Sequence, residues 1–166
     1  IAFAGLQATG KSTLAKKLQQ ELGAILLDKD ILRDCLFAEH VDYSAAQNDL
    51  CVDISYQISS YHLQKNSESK IILDGRTYSK TYQIEALKQA AFQINTPLRI
   101  IECICSEEST KKRLEHDGKN HLAKDRDFGL YQRIKAAAEP INEPKLVIDT
   151  DLLSLDESIK KILAYL

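Results

Sequence analysis

The stretch Gly5-Leu6-Gln7-Ala8-Thr9-Gly10-Lys11-Ser12-Thr13 decides how this chain is read. Apolar Ile1-Ala2-Phe3-Ala4 precedes it, and Leu14, Ala15, Leu18 and Leu22 follow on one helical face. Strand, G-x-x-x-x-G-K-[ST], helix is the context in which this spacing forms a phosphate-binding loop. Its glycines let consecutive backbone N–H groups turn inward, and the new helix adds its positive dipole end. In that frame the loop backbone from Gly5 to Thr13 cradles the phosphates of a nucleotide. Lys11 reaches the β- and γ-phosphates, the Ser12 hydroxyl ligates Mg²⁺, and Thr13 hydrogen-bonds the α-phosphate.

The bulk numbers exclude several alternatives. The 166 residues make one domain with a sizeable core, over 1–166, and the 44% hydrophobic and 28% charged content is that of a globular chain. A net charge of −2 supplies no basic field for non-specific nucleic-acid binding. No apolar run approaches the roughly 20 residues of a membrane span and no signal peptide is visible, so a cytoplasmic protein is expected. The chain opens directly in a strand, which leaves room for a natural N-terminus or a preceding domain ahead of Ile1. Four cysteines, Cys35, Cys51, Cys103 and Cys105, lack metal-site spacing and read as buried free thiols.

Further along, Ala24-Ile25-Leu26-Leu27, ending at Asp28, and Ile71-Ile72-Leu73-Asp74-Gly75 read as short buried strands ending in acids. Leu98 to Cys105 and Leu146 to Asp149 complete a set of five. Between them lie helices over Asp30 to Phe37, from Ser44 to about Lys65 with Leu50, Ile54, Ile58 and Tyr61 recurring at helical spacing, and one marked by Ile84, Leu87, Ala91 and Ile94 and closed before Pro97. Ser106 opens a further helix, Phe128 to Ala138 forms another, and Ser154-x-x-Glu157 begins the last. Continuously apolar strands alternating with helices predict an α/β fold with a parallel sheet buried on both faces. Ligands of such sheets sit outside the carboxyl ends of the strands, where Gly5, Asp28, Asp74, Ser106 and Asp149 fall.

Asp30 and Arg33 lie three apart and share a helical face. A carboxylate beside a guanidinium at a strand's carboxyl end offers a base for an acceptor hydroxyl and an anchor for an anionic group. A capping role for Asp28 or Asp30 is the simpler alternative.

The loop at 5–13, Asp30-x-x-Arg33 and Ile71-Ile72-Leu73-Asp74 ahead of a helix resemble the small P-loop kinases across essentially the whole chain. The group includes predicted kinases of the AAA_33 type, polynucleotide 5′-kinase domains, adenylylsulfate kinase and chloramphenicol phosphotransferase. The resemblance implies a five-stranded, three-layer nucleoside-kinase-like sandwich with a short lid near 117–127. It implies ATP and Mg²⁺, with Lys11 and Asp30 catalytic, Asp30 as general base, and Arg33 on the substrate alongside Asp28 and Arg76. Asp74 then serves the metal with Ser12. From the basic segment Lys111 to Arg133, Arg113 and Arg126 become the lid arginines, Arg113 toward the adenine. A second arginine that the family often carries is replaced here by His116-Asp117.

The expected activity is transfer of the γ-phosphoryl group to a hydroxyl of a small molecule, by a monomer or homodimer. A nucleic-acid or nucleoside 5′-hydroxyl is the alternative acceptor. An ATP-hydrolysing switch is the alternative from another class; a guanine-nucleotide switch would need N-K-x-D, which Lys119-Asn120 and Asn142-Glu143 do not supply. Acceptor choice is expected to reside in the 35–65 helices and the Arg76–Tyr82 loop.

Overall fold

The computed structural model describes residues 1–117 and 127–166. Five strands, β1 (Ala2–Ala4), β2 (Ile25–Asp28), β3 (Ile71–Asp74), β4 (Ile100–Ile104) and β5 (Lys145–Asp149), form one sheet. Their order is β2-β3-β1-β4-β5 and every pairing is parallel, as the apolar strands predict. β1 and β3 are neighbours and each ends at the same edge of the sheet, so the loops that follow them converge. In register, Asp28 stands opposite Asp74, which sets two acids side by side at that edge.

Helices cover both faces. Alternation along β1 sends Phe3 to one side, where it packs with Leu14, Ala15 and Leu18 of α1 (Lys11–Leu22) and Ile159 and Ile162 of α7 (Leu155–Tyr165). Ala2 and Ala4 face the other side, with Ile84 and Leu87 of α4 (Thr81–Gln93) and Tyr78. The small residues at 2 and 4 leave room for that large buried tyrosine. α2 (Lys29–Phe37) and α3 (Ala45–Lys65) follow β2, with a 3₁₀ turn at Ala38–His40 between them. α5 (Glu107–Asp117) and α6 (Phe128–Ala136) lie between β4 and β5.

Local chemistry explains the ends of these elements. Gly23 closes α1 at φ 60°, a left-handed conformation that costs glycine little. Ser154 and Glu157 make a complete capping box on α7. The same pattern at Ser44 is half formed: Ser44 Oγ accepts from Gln47 N–H, but Gln47 Oε1 accepts from Asp42 N–H instead. Ser106 Oγ accepts from Ser109 N–H at the start of α5, as expected.

Four expectations need correction. On α3 the buried face is Gln47, Cys51, Val52, Ser55 and Ser59, whereas Leu50 is 48% exposed and Tyr61 57%. The two serine hydroxyls back-bond to carbonyls one turn earlier, at Cys51 O and Ser55 O, so they satisfy themselves when buried. The apolar stripe followed the residue types; the packing followed their size. Secondly, β4 and β5 are not covered on both faces, because Ile104 and Val147 are 40% and 46% exposed. Thirdly, Cys35 is exposed and Cys105 half-buried, leaving Cys51 and Cys103 as the buried thiols. Finally, α6 ends at Ala136 rather than Ala138. Of the lid expected near 117–127, residues 118–126, with Arg126, Lys119, Lys124 and His121, lie outside the described residues.

Two truncations separate core from surface. Ile162, fully buried between α7 and the sheet, should cost about 2–5 kcal/mol as Ile162→Ala. Leu50→Ala should stay within about 0.5 kcal/mol, measured by denaturant unfolding.

Candidate active site

The loop between β1 and α1 curls as its sequence predicts. Gly5 sits at φ 124° and Gly10 at φ 88°, conformations that side chains with a Cβ rarely adopt. Space is as restrictive as torsion at Gly5: a Cβ there would stand 2.2 Å from the carbonyl oxygen of Cys103. Gly10 occupies the N-cap of α1 with no side-chain cap, so the first N–H groups of that helix remain available for an anion. Ala8, at φ 58°, helps hold the curl. Leu6, Gln7 and Thr9 complete it, with Thr9 Oγ1 donating to Leu6 O at 2.9 Å. The Lys11 ammonium lies across the loop, 2.6 Å from Leu6 O. Ser12 and Thr13 occupy the first turn of α1, Ser12 half-buried and Thr13 exposed.

Arg113 ties this loop to its neighbours. Its guanidinium donates to Ala8 O at 3.1 Å, Thr150 Oγ1 at 2.9 Å and Asp151 Oδ1 at 3.2 Å. Thr150 in turn donates to Thr9 O and packs against Gly10. Arg113 thus lies beside the phosphate loop at the β5–α7 turn. Thr150 was missed by sequence reasoning, since a lone threonine after a strand carries no motif. His116 is exposed on α5.

Across the loop lies a cavity of about 260 Å³, lined by both Lys11 and Asp30. Asp30 is nearly buried and bridges two cations, Lys29 Nζ at 2.7 Å and Arg33 Nη2 at 3.0 Å. Asn48 completes the cluster: its Oδ1 accepts from Lys29 Nζ at 2.8 Å and from Arg33 Nη1 at 2.7 Å. Arg33 also stacks on the Tyr43 ring, 4.6 Å from its centroid. Both terminal nitrogens of Arg33 are therefore engaged within the protein, and its first task is to brace Asp30. Such a buried cluster outweighs a surface pair like Lys112–Glu108, which water screens, whereas breaking a buried pair costs about 3–5 kcal/mol. Lys29, Tyr43 and Asn48 carry no motif and were legible only as part of a region.

Arg76 enters the same cavity because Gly75, at φ 88°, turns the chain sharply after β3. It is 7% exposed, pairs with Asp49 and lies over the Tyr82 ring, whose hydroxyl also donates to Asp49.

The acids at the sheet edge divide their work. Asp28, expected to touch substrate, caps α2 by accepting from Asp30 N–H at 2.8 Å. Among the described residues the cavity wall includes neither Asp28 nor Asp74. Burial, and secondly the charge of Asp74, raise the Asp28 carboxyl above the ordinary range. Asp74 is 4% exposed, and neither carboxylate oxygen has a hydrogen-bond partner. A buried anion with unmet oxygens beside a second acid suits a divalent cation. Among the described residues no cluster of three His, Cys, Asp or Glu forms a self-sufficient metal site. Asp74 and Ser12 therefore fit a cation whose other ligands come from phosphate and water.

Comparison with known proteins shows the family and the fold. The model of the AAA_33 family, an AAA domain, matches residues 1–141. A probable adenylyl-sulfate kinase of Halalkalibacterium halodurans is 28% identical, the alignment covering the whole chain and 81% of that protein. The crystal structure of a candidate kinase from Chloroflexus aurantiacus superposes with a TM-score of 0.77 at 19% identity, covering 99% of this chain and 96% of that one. The adenylylsulfate kinase CysC of Mycobacterium tuberculosis, solved with AMPPNP and APS, gives 0.69 at 18%, covering 98% and 94%.

The raised Asp28 carboxyl sets a signed test. A carboxyl whose folded pKa is raised costs stability above that pKa, and the cost vanishes below the ordinary aspartate range. Asp28→Asn keeps a capping oxygen, so it should raise the thermal midpoint at pH 7 in metal-free buffer. The gain should disappear near pH 3.

Proposed function

The chain belongs to the AAA_33 family of AAA domains, and from that premise we propose that it is an ATP- and Mg²⁺-dependent kinase acting on a hydroxyl of a small molecule. The observation that carries the reading is one cavity lined by both the phosphate-loop lysine and a braced carboxylate. ATP would lie with its phosphates on the amides of 5–13, and Arg113 near the base. Lys11 would exchange its contact with Leu6 O for phosphate oxygens. Ser12 and Asp74 would hold Mg²⁺, which supplies charge neutralisation on the phosphates when bound.

In this reading the acceptor hydroxyl sits on the Asp30 side of the cavity. Its oxygen forms the new bond to the γ-phosphorus while the bond to the β–γ bridging oxygen breaks, and ADP leaves. Asp30 takes the hydroxyl proton. Because phosphoryl transfer passes through a loose transition state, position matters more than base strength, and Lys29, Arg33 and Asn48 fix that position. The small cavity favours a small acceptor over a nucleic-acid end. A single domain over 1–166 and a cytoplasmic setting complete the proposal. Among the described residues no helix is long and apolar enough to cross a membrane.

ADP release measured across a panel of hydroxyl compounds tests the assignment. Turnover should depend on the acceptor; equal turnover without one would favour an ATP-hydrolysing switch. Lys11→Ala should lower kcat by about 10²–10³. Asp30→Asn should retain nucleotide binding and lose about 10²–10⁴ in transfer, with folding checked by circular dichroism.

A further inference from the structure

Arg76 is more buried than the acid it pairs with, and its pairing is incomplete. Its side chain is 9% exposed against 37% for Asp49, and one terminal nitrogen, Nη2, meets that carboxylate. Its Nε–H is buried with no hydrogen-bond partner. An unmet charged donor is costly inside a protein, about 1–3 kcal/mol or more, so a persistent one marks a place where a ligand atom belongs.

The surrounding charges say what kind of atom. Besides Lys11, the cavity wall carries Lys29, Arg33 and Arg76 against Asp30 and Asp49. Asp30 answers Lys29 and Arg33 together, and solvent-reached Asp49 answers Arg76, so positive charge is in excess along this wall. Two acceptor atoms on the same wall, Gln83 Oε1 and Gln7 Oε1, are also buried without partners. A neutral polyol would satisfy the glutamines and leave the excess charge unanswered. A compound carrying both hydroxyls and an oxyanion satisfies all three.

Building on the kinase reading, we infer that the acceptor is an anionic small molecule, and that a phosphate, sulfate or carboxylate group on it docks against Arg76 Nε while a separate hydroxyl is phosphorylated. Arg76, seated by Gly75, Asp49 and Tyr82, is then the residue that selects charged acceptors over neutral ones.

The test first fills the phosphate loop with Mg²⁺ and a non-hydrolysable ATP analogue, because that loop binds oxyanions itself. Sodium sulfate, inorganic phosphate and sodium acetate are then titrated at constant ionic strength by calorimetry. Saturable binding of at least one is expected, and the three arms tell tetrahedral oxyanions from carboxylate. Arg76→Lys keeps a cation for Asp49 but removes the planar donor, so it should weaken that binding about tenfold or more. Matching thermal midpoints of the two proteins would exclude a folding defect. Absence of saturable binding, or binding unchanged in Arg76→Lys, would overturn the inference. So would an acceptor screen in which neutral hydroxyl compounds turn over and their phosphorylated, sulfated or carboxylated counterparts do not, an outcome that leaves the kinase reading intact. Acceptor-dependent ADP release reads the kinase assignment separately.

Discussion

The tightest constraint in this molecule is the approach of the loop after β1 to the end of β4. At Gly5 a single methyl carbon would collide with the Cys103 carbonyl. That contact forces the chain into a conformation open to glycine and delivers the following amides toward one point. Everything polar at the site is arranged with respect to it. Arg113 and Thr150 grip the loop from one side through Ala8 and Thr9 carbonyls. The Asp30 cluster faces it from the other, across the cavity that Lys11 also lines.

Charge is graded around this end of the sheet. Asp28 and Asp74 stand in register at the sheet edge, one turned to a helix N-terminus and the other left with both oxygens unmet. Beside them stand Asp30 with its two cations and Arg76 with Asp49. Acid nearest the sheet suits a divalent cation; cations beyond it suit phosphate and an anionic partner. The order follows from the topology. Each of these residues sits at or just past the carboxyl end of β2 or β3, or on the α3 turn packed against them. A parallel sheet brings such ends together without any long-range sequence signal.

This explains what could and could not be read from the sequence. The loop at 5–13 was legible because its chemistry is local: glycine, lysine and hydroxyl at fixed spacing with a strand before and a helix after. Asp30 and Arg33 were legible as a pair because one helical turn joins them. Asn48, Tyr43, Asp49 and Tyr82 were not, because each joins the cluster through a neighbour 10 to 33 positions away in the chain. The α3 face was misjudged for a related reason. Cys51, Ser55 and Ser59 pack inward because they are small, while Leu50 and Tyr61 remain outside, so polarity alone pointed the wrong way. Similarly, the Asp28 carboxylate caps the helix it begins, a local contact that the sequence offered as the simpler alternative.

The account rests on a terminal phosphate and the Asp30 carboxylate facing each other across one cavity. A crystal structure of the protein with Mg²⁺ and a non-hydrolysable ATP analogue measures that directly. The account predicts the phosphate tail on the amides of 5–13, Lys11 moved from Leu6 O to the γ-phosphate, and Asp30 facing that phosphate with space for one hydroxyl between them. A phosphate tail bound elsewhere, or Asp30 turned out of the cavity with its cations, would contradict it.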